Sequence, residues 1–105
     1  MTGRSPRESS VKDAVQRYLK SLGKDCWHFK THGSIYGILG LPDIIGVYKG
    51  RFFGVELKRP GEKPRKIQGV VMKAIARAGG VVGVATSKDE MREIIEGMER
   101  GDDLG

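Results

Sequence analysis

The chain has 105 residues, of which 38% are hydrophobic and 30% charged, with a formal net charge of +6 and a single cysteine, Cys26. This fits one domain over residues 1–105 and excludes a second sizeable core, an intrinsically disordered chain and an internal disulfide. No apolar run is long enough to span a bilayer and the N-terminus is too polar for a leader, so an intracellular protein is expected. Its basic charge suits polyanionic partners such as nucleic acid.

In chain order, residues 1–4 are expected to be flexible. Ser5-Pro6-Arg7-Glu8 reads as a helix start, with Ser5 as N-cap and Glu8 closing a capping box. Val11, Ala14, Val15, Tyr18, Leu19 and Leu22 follow at helical spacing, and Gly23 stops the helix. Cys26 to Lys30 reads as a short strand, and residues 33–42 as a Gly-rich loop. Two apolar strands then flank Lys49-Gly50, a candidate two-residue turn. A loop over residues 59–64 leads to a helix from about Pro64 to Ala78, expected to bury Ile67, Val71, Ala74, Ile75 and Ala78. Val81 to Ala85 reads as a buried strand. Ser87-Lys88-Asp89-Glu90 is a second capping box that opens a last helix through about Arg100, and residues 101–105 are expected to be flexible. The order predicts a mixed sheet flanked by helices.

The hairpin carries the chemistry. With the turn at Lys49-Gly50, Tyr48 faces Arg51, Val47 faces Phe52 and Asp43 faces Glu56. Lys58 lies two residues past Glu56 and shares its face. Two carboxylates and one ammonium are therefore expected at one end of the hairpin. Opposed like charges destabilise a sheet, and a divalent cation would resolve the conflict. Mg²⁺ takes one or two carboxylates and substrate phosphate oxygens, which suits attack on a phosphodiester. A salt-bridged hairpin is the other reading, with Glu56 paired to Lys58 or Arg51 and Asp43 a turn residue after Pro42.

Pro42-Asp43, a twelve-residue spacer and Glu56-Leu57-Lys58 resemble the PD-(D/E)XK nuclease motif. Glu8 on the first helix, Gly40-Leu41-Pro42-Asp43, Gln68 on the next helix and Ala78-Gly79-Gly80 before a Val-rich strand narrow the resemblance. Together they resemble the short stand-alone VRR-NUC (virus-type replication-repair nuclease) family, over about Glu8 to Glu96. The resemblance implies an α/β restriction-endonuclease-like core and a bacterial or phage-type cytoplasmic enzyme. It implies that Asp43, Glu56 and the Leu57 carbonyl hold Mg²⁺ or Mn²⁺, with Glu8 reaching the metal directly or through water. Lys58 would assist the attacking water and Gln68 would help order the site. The implied activity is a structure-selective DNA endonuclease, a homodimer that cuts branched DNA as Holliday-junction resolvases do. A catalytically silent nucleic-acid-binding module, or a nuclease acting on flaps, ends or single strands, are the alternatives.

Other residues carry two readings each. Glu8 caps a helix, or heads a buried stripe as a site carboxylate. Lys30 is a solvated strand end or a phosphate contact. Arg59, Lys63, Arg65, Lys66 and Lys73 form a solvated face or a DNA-binding one. Cys26, His28 and His32 fit no metal-site spacing. Trp27 and Phe29 are expected as core or dimer contacts rather than base-stacking platforms.

Overall fold

The computed structural model describes residues 8–31, 34–35, 38–62 and 66–99. Helix α1 (Glu8–Ser21) leads through a 3-10 turn (Gly23–Asp25) into β1 (Cys26–Lys30). Two short strands follow, β2 (Ser34–Ile35) and β3 (Ile38–Leu39), then β4 (Ile44–Tyr48) and β5 (Arg51–Leu57). Helix α2 (Lys66–Arg77), β6 (Val81–Ala85) and α3 (Lys88–Glu99) complete the order. The main sheet has strand order β1-β4-β5-β6, antiparallel except for the parallel β5–β6 pair. It is the mixed sheet flanked by helices expected from the sequence. Ser5 and the residues at either terminus lie outside the described residues.

The expected hairpin register holds: Tyr48 pairs with Arg51, Val47 with Phe52 and Ile44 with Val55. Its turn has positive φ at both Lys49 (50°) and Gly50 (85°), the combination that matches the twist of a two-residue hairpin. The register matters because a one-residue slip would send Asp43 and Glu56 to opposite faces.

The two faces of the sheet have different covers. A Cβ placed on Gly83 would meet Ile94 of α3, whereas one on Gly54 would meet Pro42 and Ile75 of α2. Gly83 pairs with Val55 and Gly54 with Val82, so these two glycines point opposite ways. The α1 and α3 face holds the main core: Val11, Val15 and Leu19 of α1, with Ile44, Phe53, Val55 and Leu57 of the sheet and Met91 and Ile95 of α3. Burying each such side chain contributes roughly 1.5–3 kcal/mol. Gly46 is required here, because a Cβ would overlap the Trp27 carbonyl oxygen and the Phe53 ring.

Several expectations need correction. The 33–42 loop contains a small antiparallel ladder, Ser34 with Leu39 and Ile35 with Ile38. Among the described side chains of α2, Met72 is buried, Val71 and Ile75 are half-buried and Ala74 is exposed, as is Ala78 just past the helix end. The helix covers only part of its sheet face, so its buried stripe is narrow. Ile67's side chain lies outside the described residues. In β6, Val81 and Ala85 are buried but Val84 is exposed, for the same reason. Trp27 and Phe29 are not core: they are 60% and 45% exposed on the edge strand β1. At the start of α3, the Glu90 N–H donates to Ser87 Oγ (3.1 Å). The Glu90 carboxylate reaches back to the N–H (2.6 Å) and hydroxyl (2.7 Å) of Thr86, one residue beyond the expected box partner.

Candidate metal centre on the β4–β5 hairpin

Asp43 sits one residue before β4, held by contacts from three sides. The Thr31 N–H donates to the Asp43 carbonyl (2.9 Å), and the Thr31 hydroxyl donates to the Pro42 carbonyl (2.6 Å). Gly54 lets Pro42 rest on β5, since a Cβ there would lie 3.0 Å from the Pro42 ring. The side chain completes the fixation: Asp43 Oδ2 accepts the Leu57 N–H at 2.8 Å. Thr31 is buried and was not singled out by sequence reasoning. Its only signal was a position just past a strand end, which is too weak to find it.

Glu56 is opposite Asp43 when the ladder is continued by one residue, and it is fully buried at 0% exposure. Lys58 Nζ lies 3.0 Å from Glu56 Oε2. That contact is an ion pair by distance but lacks hydrogen-bond alignment, and neither Glu56 oxygen has a hydrogen-bond partner among the described residues. A buried carboxylate in that state costs free energy. Burial is the main cause that pushes the Glu56 pKa up to about 7; Lys58 opposes the shift and the nearby Asp43 carboxylate adds to it. The salt-bridged reading is thus correct about the Lys58 pair. The pair does not satisfy the carboxylate.

The two oxygen donors suit a hard divalent cation. The unsatisfied Glu56 oxygens beside the Asp43 carboxylate are the kind of site where one would relieve a standing cost. The residues present fit such an ion. Among the described side chains no group of three or more His, Cys, Asp and Glu converges.

The remaining expected residues are placed as follows. Glu8 begins α1, and its side chain lies outside the described residues. Gln68 lies in the first turn of α2, in one helical stripe with Met72 and Ile75; its side chain is also outside them. Since β5 and β6 are parallel, α2 runs back between them, so its first turn lies toward the Glu56 end. Lys30 pairs with Ile44, next to Asp43, and is half-buried. Its position alternates away from Trp27 and Phe29, on the α1 side of the sheet. Arg59 is tied to Glu62 by its backbone N–H and its guanidinium, each at 3.0 Å. Lys73 is exposed on α2. Lys63, Arg65 and the Lys66 side chain lie outside the described residues. His32 lies outside the described residues, and burial is the main cause that lowers the His28 pKa.

No family model and no curated protein sequence matches the chain. A solved structure described as a "VRR_NUC domain" does match, with a TM-score of 0.71 and 25% identity, covering 85% of this chain and 94% of that one. The chain therefore shares its fold with a VRR_NUC domain, the PD-(D/E)XK-like arrangement that its own motif resembles.

Proposed function

We propose that this chain is a metal-dependent DNA endonuclease whose centre is Asp43, Glu56 and Lys58. The observation that carries the reading is the buried Glu56 carboxylate, unsatisfied beside Asp43 at the end of a hairpin. A fold shared with a VRR_NUC domain supports a nuclease-like function. Asp43, Glu56 and the Leu57 carbonyl would hold Mg²⁺ or Mn²⁺, with Glu8 as a further ligand, directly or through water. When bound, the cation supplies Lewis-acid stabilisation of the charge that builds on the phosphodiester.

The chain's own residues then have distinct tasks. Leu57 N–H fixes the Asp43 carboxylate, and Thr31 fixes its backbone, so that donor is preorganised. Lys58 is held at Glu56 with its side chain 14% exposed, so it can reach a water or a phosphate at the mouth of the site. There it orients the attacking water and balances negative charge in the transition state. Gln68 orders the site from α2. Lys73, together with Lys63, Arg65 and Lys66, contacts phosphates; Lys30, on the opposite face of the sheet from Glu56, and Arg59, engaged by Glu62, contribute less.

The finer reading is a structure-selective enzyme that cuts branched DNA as a homodimer, as Holliday-junction resolvases do. Paired incision across a junction needs two sites, which a twofold dimer supplies. The test is cleavage of labelled four-way junction, flap, single-stranded and duplex DNA in Mg²⁺, Mn²⁺ or EDTA, with molar mass measured in parallel. Symmetric, metal-dependent junction cuts by a dimer are expected, and folded Asp43→Ala, Glu56→Ala and Lys58→Ala proteins should cut nothing. If those variants cut as well as wild type, the assignment is wrong. Tight DNA binding without cleavage would leave a binding module.

A further inference from the structure

The sheet face that carries Glu56 is only partly covered. Helix α2 lies over β5 and β6, as the Gly54 and Gly80 contacts with Ile75 require. Over β1 and β4 the described side chains of the same face are exposed at Trp27, Phe29 and Val47 and half-buried at Ile45. Trp27 (60% exposed) pairs with Val47 (39%), which pairs with Phe52 (39%), and Phe29 (45%) follows two residues along β1. The Trp27 and Phe29 rings are nearly parallel, 13° apart in tilt with centroids 6.2 Å apart. Phe29 pairs with Ile45, two residues from Asp43, so the aromatic row begins about 7 Å along the sheet from the carboxylates.

Apart from the Asp43–Glu56 centre, the elements on this face are basic. Helix α2, on the same side, carries three cations and no carboxylate. Helix α3, on the opposite side, carries five carboxylates against two cations. In the four main strands the sole acidic residue is Glu56, which is buried. A second copy docked twofold on this face would bring two cationic helices together, whereas a polyanion is attracted to it.

We propose that the Trp27–Phe29 row is a stacking platform for unpaired nucleotides of the strand whose backbone enters the Asp43–Glu56 centre. This rests on the nuclease reading and adds the form of the substrate: single-stranded character beside the cleaved bond. Aromatic side chains on an open sheet face hold bases by their π-faces without reading sequence, while neighbouring cations follow the backbone.

Trp27 is the single tryptophan of the chain, so its emission reports on the platform directly. Short oligo(dT) is titrated against the full chain in EDTA, where cleavage is not required. Saturable quenching of Trp27 emission is expected, stronger than with a duplex of equal length. Phe29→Ala should weaken oligo(dT) binding roughly tenfold, and Trp27→Ala similarly by anisotropy of a labelled oligonucleotide, with Trp27→Phe restoring most of it. Asp43→Asn should quench as wild type does. Loss of cleavage in that variant with quenching intact therefore separates the two readings, and wild type that quenches but never cuts would sink the nuclease reading alone. Oligo(dT) binding with unchanged Trp27 emission overturns the platform. So does an emission change that tracks protein concentration without DNA and accompanies a doubling of mass, because a second copy would then cover the face.

Discussion

Glu56→Gln tests the electrostatics of the centre without any substrate. The wild-type carboxyl has a folded pKa of about 7 against an ordinary 4.5. The folded state therefore holds this proton more tightly than the unfolded state. The sign follows: the favourable contribution is complete below pH 4.5 and is lost as pH rises towards 7, because the folded chain must ionise a carboxylate that burial disfavours. Between pH 5 and pH 8 the loss from this one group is about 2.5 kcal/mol. Glutamine stays neutral throughout and mimics the protonated acid. Urea unfolding in EDTA should thus show the variant gaining on wild type by about 2.5 kcal/mol between pH 5 and pH 8. Some of the gain will be offset by Lys58, left without a counter-charge, although its partial exposure lets water solvate the ammonium. Adding Mg²⁺ at pH 8 should stabilise wild type and leave the variant unmoved. A variant-minus-wild-type difference equal at both pH values within about 0.5 kcal/mol would refute the buried, unsatisfied carboxylate on which the site reading rests.

Substitutions at four further sites have expected outcomes. Asp43→Asn keeps an oxygen for the Leu57 N–H, so it should fold within about 1 kcal/mol of wild type yet lose cleavage about a hundredfold or more; Asp43→Ala orphans that N–H and should cost a further 1–3 kcal/mol or so in chemical denaturation. Gly46→Ala should destabilise by at least about 2 kcal/mol, because its Cβ would meet a backbone carbonyl and a buried ring. Gly83→Ala meets only the flexible end of Ile94, at 2.9 Å, and should cost under about 1 kcal/mol; equal losses in thermal melts would contradict the packing. Ser87→Ala removes the hydroxyl that accepts the Glu90 N–H and should cost about 1 kcal/mol of stability without changing DNA binding.

The elements that sequence alone determined are those with short-range causes. The turn at Lys49-Gly50 sets the β4–β5 register within a few residues, and that register already put Asp43 opposite Glu56 with Lys58 alongside. The periodicity of Val11, Val15 and Leu19, and the Ser87 cap, likewise depend on neighbours three or four positions away. What the tertiary structure decided involves chain segments far apart in sequence. The complete burial of Glu56 depends on what packs over β5, not on the residues beside it. Thr31 holds Asp43 from twelve residues away. The narrow buried stripe of α2 and the exposure of Trp27 and Phe29 share one cause: α2 covers β5 and β6 and leaves β1 and β4 open. An apolar residue on a strand is compatible with a core or a surface, and only the helix that does or does not cross it chooses between them.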